Sequence, residues 1–258
     1  MSTTLTHTWF MTARHLRNLA RQPWWIAITL VQPVIWLLLF GAVFKATADI
    51  PGFAADSYVD FLTPGIVVMT AAFAGGWAGM GVIEDLNRGV VDRFLVSPVR
   101  RGALICGRLV QLAIVSLIQS LIVIVLGLAV GARFPGGVTG LAVLVTCSAL
   151  LGASLGALSN GMALLARKEE TVIAASNFVL LPLTFLSSAF MQRDLIPGWV
   201  QQVARYNPVE WTVQAGREAL TATPDWGLVL SRIGLLSDLA AACTWLATRA
   251  FRAYQRSI

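Results

Sequence analysis

The sequence predicts an all-α integral membrane protein with six transmembrane helices in a single domain, residues 1–258. Hydrophobic residues make up 57% of the chain and charged residues only 12%, whereas an ordinary soluble domain carries about 25% charged residues. Six stretches also hold the roughly 20 mostly apolar residues that a helix needs to cross the hydrocarbon core. These predicted spans cover about 24–45, 61–82, 103–131, 139–165, 171–191 and 227–248.

The stretch ahead of the first span, residues 1–23, predicts an amphipathic helix in the membrane interface. Its apolar residues recur at helical spacing, arginines flank them, and Pro23 ends the pattern. A simple anchoring role and contact with a partner both stay open. The apolar run that follows is too long for a signal peptide, and five more spans come after it.

Lys and Arg residues set the expected orientation, because they are enriched in cytoplasmic loops. With the N-terminus inside, the cytoplasmic segments hold most of the cations, namely Arg14, Arg17, Arg21, Arg88, Arg93, Arg100, Arg101, Arg108, Arg167, Lys168, Arg249, Arg252 and Arg256. We therefore expect both termini in the cytoplasm. The net charge of +6 is better explained by this bias and by anionic lipid than by nucleic acid.

Residues 83–102 form the one dense, mixed-charge segment between two spans. Glu84 and Asp85 close the second span. Apolar residues at 90, 91 and 94–96 form a face that Asp92 and Arg93 interrupt, and Pro98 disfavours helix at Ser97. The pattern predicts a short amphipathic helix that docks into a groove of a partner. A second charged cluster precedes the fifth span and comprises Arg167, Lys168, Glu169 and Glu170.

The loop over 192–226 mixes prolines, tryptophans and scattered charges. Its prolines divide it into two short helices, about 198–205 and 209–221. Helices that dip into the outer leaflet would satisfy their own backbone hydrogen bonds, as lipid requires. A plain solvated loop is the alternative.

Polar and small residues inside the predicted spans are the remaining candidates. Asp238 lies near the centre of the last span, where a charge is costly; it either has a function in transport or packs, protonated or hydrogen-bonded, against a neighbouring helix. Asn177, Phe178 and Phe185 could line a pathway. Asn177 could instead hold two helices together by hydrogen bonding, and the phenylalanines also suit lipid contact. Glycines and small residues at four-residue spacing, including Gly75, Gly79, Gly152 and Gly156, permit close helix contact.

Neither the histidines nor the three cysteines have the spacing of a metal site.

The chain resembles the ABC-2 type permeases, the membrane subunits of bacterial ATP-binding-cassette exporters. The first match is the mixed-charge segment, which reads Glu84-Asp85, Gly89, Val91, Asp92, Arg93, Phe94-Leu95-Val96, Ser97-Pro98 and Gly107-Arg108. The second match reads Leu186-Ser187-Ser188, Ile196-Pro197-Gly198-Trp199 and Asn207-Pro208. The predicted arrangement of spans, interfacial helix and outer helices also agrees with that family, so the resemblance covers nearly the whole chain.

The resemblance implies the type V exporter fold and a division of labour. A separate ATPase subunit would bind ATP and Mg, while this chain, which has no phosphate-binding GxxxxGK[ST] motif, would hold no cofactor and would not be an enzyme. The residues implied in coupling to the ATPase are Glu84, Asp85, Arg88, Gly89, Asp92, Arg93, Phe94, Leu95, Ser97 and Pro98. A second permease copy, identical or a close paralogue, would complete the transporter in the bacterial plasma membrane.

Three alternatives accompany this interpretation. The cargo of the exporter is a drug-like or lipid-like compound in the first hypothesis and a lipid-linked glycan in the second. A proton-driven secondary transporter that uses Asp238 is a different class, but it predicts inverted repeats and several intramembrane acids, which the sequence does not clearly contain. A membrane-embedded enzyme would need converging nucleophile, base or metal ligands, and no predicted span contains a histidine or a carboxylate pair.

Overall fold

The computed structural model describes residues 23–50, 55, 57–88 and 101–255. Residues 1–22 of the predicted interfacial helix and residues 89–100, most of the predicted docking helix, lie outside the described residues. Within the described ranges the chain forms α-helices, two short 3₁₀ helices and loops. The α-helices are α1 (Pro23–Val43), α2 (Tyr58–Gly76), α3 (Gly79–Asn87), α4 (Arg101–Val130), α5 (Gly137–Ala166), α6 (Glu169–Phe185), α7 (Gly198–Ala204), α8 (Pro208–Ala219) and α9 (Trp226–Gln255).

Local sequence accounts for several helix ends. Ser57 caps α2 by accepting a hydrogen bond from the Asp60 N–H at 3.2 Å, as expected of an N-cap serine. Asn207 caps α8 in the same way, with its side-chain oxygen 2.9 Å from the Val209 N–H. Pro208 follows at the first helical position, where its missing N–H costs nothing. Arg167 ends α5 in the left-handed region, with φ of 53°.

Four helical stretches are long and apolar enough to cross a membrane, as judged by length and composition within the described residues. They are Tyr58–Asn87, Val110–Val130, Gly137–Ala166 and Trp226–Arg252. A shorter apolar helix covers Leu30–Val43, and α6 has 17 residues. The chain is therefore a multi-helical membrane protein, and the count of six spans stays a prediction.

Two predicted spans are not continuous α-helices over their full predicted length. The span predicted over 61–82 is interrupted at Trp77 and Ala78, so that α2 and α3 are separate helices. The span predicted over 171–191 is helical only to Phe185, and side chains from α8 bind backbone groups of the loop that follows. Two short helices do lie near the predicted 198–205 and 209–221, as α7 and α8.

Helix α5 lies at the centre of the bundle and contacts α2, α3, α4, α6, α8 and α9. Glycines bring the backbones together, as their spacing predicted. A Cβ atom added at Gly75 would lie 2.3 Å from the Gly152 carbonyl oxygen, and one added at Gly140 would lie 2.2 Å from the Ala219 oxygen. Helix α2 and helix α8 therefore approach α5 more closely than side chains would permit.

This close contact gives a first testable prediction. Gly75→Ala should lower the melting temperature by roughly 3 °C or more, because the added methyl group overlaps the backbone of α5. Gly234→Ala is the matched control, since nothing lies within 4 Å of its added Cβ. Thermal unfolding of both variants in detergent measures the difference, and equal melting temperatures would contradict the close packing.

Candidate functional site

The predicted ATPase-coupling segment begins where α3 ends. Glu84 and Arg88 form an ion pair on successive turns of this helix, with 2.6 Å between Oε1 and the guanidinium nitrogen, and both side chains are more than half exposed. Asp85 lies between them and is half-buried. Exposed pairs of this kind contribute little to stability, about 0.3–0.5 kcal/mol. They present charge to solvent next to a membrane-crossing helix.

The second charged cluster lies at the same end of the bundle. Arg167, Lys168, Glu169 and Glu170 are all exposed in the turn between α5 and α6. An apolar cluster joins this turn to α3 and to the end of α9; its members are Val82, Ile83, Ala163, Leu164, Val172, Phe251 and Tyr254. The Arg167 guanidinium also stacks on the Tyr254 ring, 4.7 Å from its centroid. We call this region the Glu84 end.

The residues predicted to line a pathway do not come together at one point in the single chain. Asn177 is half-buried on α6, while Phe178 and Phe185 on the same helix are 81% and 58% exposed. Phe185 stacks on Phe190 with ring centroids 5.7 Å apart. Asp238 is exposed on α9, a helix that packs mainly on α5 and α8. Their role in a pathway stays a prediction.

At the opposite end of the bundle, Arg217 on α8 binds three backbone carbonyl groups. One terminal nitrogen donates to the Ser188 oxygen at 2.7 Å, and the other donates to the oxygens of Ala189 and Phe61 at 2.9 and 3.0 Å. The guanidinium also lies over the Phe61 ring, 3.5 Å from its centroid. One side chain thus ties α8 to α2 and to the loop that follows α6.

Two further side chains hold the same loop. Glu210 is almost fully buried, and its Oε2 accepts the Ser188 N–H at 2.6 Å. Asn207 donates through Nδ2 to the oxygens of Leu183 and Leu186 at 2.6 and 2.9 Å. These are the carbonyl groups that the end of α6 leaves without a helical partner. We call Asn207, Glu210 and Arg217 the α8 clamp.

The charges of the α8 clamp compensate each other. Burial of the guanidinium lowers the pKa of Arg217 to about 9, while Glu210 and Tyr58 act in the opposite direction and raise it. The guanidinium stays protonated, as arginine side chains do in proteins. A buried charge that keeps its partner and its hydrogen bonds is tolerated, whereas removal of one partner leaves the other uncompensated.

Sequence reasoning missed most of the α8 clamp. It noted Asn207-Pro208 only as a family match and described the charges of the 192–226 loop only as scattered. The available signal was the pair Glu210 and Arg217, seven residues apart and thus on one face of an amphipathic helix. The described residues contain no group of three or more His, Cys, Asp or Glu side chains that could hold an ion, and the absence of a metal site from the chain stays a prediction.

The α8 clamp gives a second testable prediction. Arg217→Met should destabilise the protein by about 3–5 kcal/mol, because it leaves Glu210 buried without its counter-charge and several carbonyl groups without a donor. Combining it with Glu210→Gln should recover part of the loss. Arg205→Met is the control, since that arginine is exposed. Thermal unfolding in detergent reports the order, and an Arg217 variant as stable as the control would refute the role of the clamp.

Comparison with known proteins supplies the family. Residues 6–221 match the model of the ABC-2 type transporter family. The chain is 30% identical over 234 residues to the daunorubicin resistance ABC transporter permease protein DrrB1 of Streptomyces coeruleorubidus, which covers 89% of this chain and 80% of the relative. It is 24% identical over 251 residues to the probable doxorubicin resistance ABC transporter permease protein DrrC of Mycobacterium tuberculosis, which covers 97% and 88%.

A third relative carries a more general name. The inner membrane transport permease YadH of Escherichia coli is 28% identical to this chain over 213 residues, 78% of each protein. The family match spans α1 to α8 and includes both ends of the bundle described above. A bundle with apolar membrane-crossing helices, together with these relatives, leads to one conclusion: the chain belongs to the ABC-2 type transporter family, as a multi-pass membrane permease subunit of an ABC transporter.

Proposed function

We propose that this permease exports a hydrophobic or amphiphilic compound, drug-like or lipid-like, with energy from ATP hydrolysed on a separate subunit. The observation that carries the proposal is the gathering of two exposed charged segments, 84–88 and 167–170, at the Glu84 end of an apolar bundle. A partner that docks there reaches α3, α5 and α6 at once. Two of the relatives carry drug-resistance names, which supports a drug-like cargo.

The Glu84 end supports a cytoplasmic ATPase contact for two reasons. The Glu84–Arg88 pair and the turn from Arg167 to Glu170 offer both signs of charge, and such patches give specificity to docking. The short helix α3 also leads directly into residues 89–100, which carry the other residues of the coupling segment. In this proposal ATP and Mg stay on the partner, both termini of the permease lie in the cytoplasm, and the first 23 residues lie in the inner interface.

The opposite end would then face the outside, with α7 and α8 as re-entrant helices in the outer leaflet. Trp199 and Tyr206 are 63% and 82% exposed, and aromatic residues with a polar tip favour the headgroup region. Helix α9 has only 17% of its apolar stretch buried within the chain. Much of its surface therefore contacts lipid or another helix, which is compatible with a transporter that contains a second permease copy.

The test is reconstitution of the permease with its ATPase subunit in liposomes. We expect ATP hydrolysis stimulated by amphiphilic drugs such as daunorubicin, and ATP-dependent movement of the drug away from the ATPase side. Stimulation by a lipid-linked glycan instead would select the second cargo. Transport that needs a proton gradient and no ATP would overturn the proposal and favour a secondary transporter.

The coupling segment gives a third testable prediction. Reversing charge in Glu84→Lys with Asp85→Lys should abolish drug-stimulated ATP hydrolysis and transport, because the docking surface then repels its partner. Asp194→Lys is the matched control, since Asp194 is exposed at the other end of the bundle. Co-purification of the ATPase subunit and its stimulated activity are measured together. Full activity of the double variant would show that the Glu84 end is not the docking surface.

A further inference from the structure

The interruption between α2 and α3 has a regular hydrogen-bond pattern. Trp77 still donates to the Phe73 oxygen at 3.0 Å, as in an α-helix, but Ala78 donates to Gly75 at 3.0 Å and Met80 donates to Trp77 at 3.1 Å. These last two bonds span three residues instead of four. The shift takes away the α-helical partners of the Gly79 N–H and of the Gly76 carbonyl, in the interior of a membrane-crossing segment.

Two serines from neighbouring helices replace those partners. The Ser159 hydroxyl on α5 accepts the Gly79 N–H at 3.0 Å and donates to the Gly76 oxygen at 2.5 Å. The Ser176 hydroxyl on α6 donates to the same oxygen at 2.6 Å. All of these atoms are buried, where an unmade hydrogen bond is costly. We call Ser159 and Ser176 the serine bridge.

The surrounding glycines admit the serine bridge. A Cβ atom at Gly79 would lie 2.7 Å from the Ser159 hydroxyl oxygen and 2.4 Å from the Ser159 carbonyl oxygen. A Cβ atom at Gly76 would lie 2.4 Å from a methyl carbon of Leu180. The lack of a side chain at Gly79 leaves room for the Ser159 hydroxyl, and its lack at Gly76 lets Leu180 of α6 pack against the interrupted helix.

A continuous helix is the evident second arrangement of these groups. In that arrangement Gly79 would donate to Gly75 and Met80 to Gly76, so the backbone would satisfy itself. The two serines could then bond to carbonyl groups of their own helices, as Ser154 on α5 does with the Leu150 oxygen at 2.7 Å. The Gly79 N–H, the Gly76 carbonyl group and the two serine hydroxyls have a partner in either arrangement, which is the requirement for a two-state element within a membrane.

The serine bridge lies between the two ends of the bundle. Helix α3 lies on the side of the serine bridge nearer the Glu84 end. It carries Glu84 and Arg88 and packs at that end through Val82 and Ile83. Helix α2 lies on the other side and contains Phe61, whose carbonyl group the α8 clamp binds. Residues 77 and 78 join α3 to α2 along the chain, so a displacement of α3 acts directly on them.

We propose that this interruption is a hinge with two hydrogen-bonding states, and that Ser159 and Ser176 are positioning residues that hold its bent state. When the coupling segment is displaced, the hinge changes from one state to the other, and the membrane-crossing part of α2 moves with it. The link to ATP hydrolysis rests on the proposed function, whereas the hinge itself does not.

The hinge is tested first in the permease alone. Spin labels are placed at Asn87→Cys and Leu165→Cys, two exposed positions at the Glu84 end, after the three native cysteines are replaced by alanine. The protein is reconstituted in phospholipid nanodiscs, and electron paramagnetic resonance gives the distance distribution. Ser159→Ala with Ser176→Ala should shift the population of the hinge states about tenfold, the size expected for lost buried hydrogen bonds.

Two variants keep this experiment decisive. Ser154→Ala is the matched control, because that serine is buried on the same helix but bonds only to its own backbone; its distances should equal those of the parent. Ser176→Ala alone leaves the Gly76 carbonyl one donor and should give a smaller shift, even if the double variant fails to fold. Parental distances in both the single and the double bridge variants would overturn the hinge.

The second readout is the ratio of compound transported to ATP hydrolysed in the reconstituted complex. We expect this ratio to fall several-fold in the bridge variants while hydrolysis continues, and to stay unchanged in Ser154→Ala. An unchanged ratio together with shifted distances would separate the hinge from coupling and overturn that part of the proposal. If no ATPase subunit associates with the parent protein, the proposed function fails, and the distance measurement still decides the hinge.

Discussion

The absence of water inside the bilayer is the constraint on which this structure depends. Every backbone N–H and C=O group at membrane depth needs a partner within the protein, and a continuous helix is the simplest solution. In the part of the chain that the structure describes, departures from it occur at residues 77–78 and after Phe185. Both departures are stabilised by side chains from other helices, the serine bridge in the first case and the α8 clamp in the second.

The two sites solve the same problem with different chemistry. The serine bridge uses neutral hydroxyl groups, which can return to their own helices at little cost. The α8 clamp uses a buried arginine and a buried glutamate, whose separation would leave uncompensated charge. The hydrogen bonds of the serine bridge are thus easily exchanged, whereas the contacts of the α8 clamp are fixed. The α8 clamp holds α2 and the loop after α6 as one unit, while α3 can be displaced relative to that unit.

The sequence predicts those parts of the structure that depend on local pattern. The lengths of the apolar runs predict where the long helices lie, and the prolines predict α7 and α8. Glycines at four-residue spacing predict close helix contact, as Gly75 and Gly152 make. The interruption at Trp77 escapes such reasoning, because the apolar run over 61–82 continues without a break. The interruption is stabilised by two serines that lie far away in the chain. A hydropathy profile does not distinguish those serines from other residues of their own helices. Glu210 and Arg217 were missed for the same reason, since their partners are backbone groups of distant segments.

The reach of Arg217 also has a consequence for biosynthesis. Its guanidinium binds the Phe61 carbonyl across 156 positions of sequence, and ribosomes make chains from the N-terminus. Helix α2 therefore enters the membrane long before its partner on α8 exists, and the loop after α6 likewise precedes the residues that bind it. The tertiary structure at this end is completed only after α8 has emerged from the ribosome. Until then the carbonyl groups that the α8 clamp binds need other partners, in the translocon or at the lipid interface.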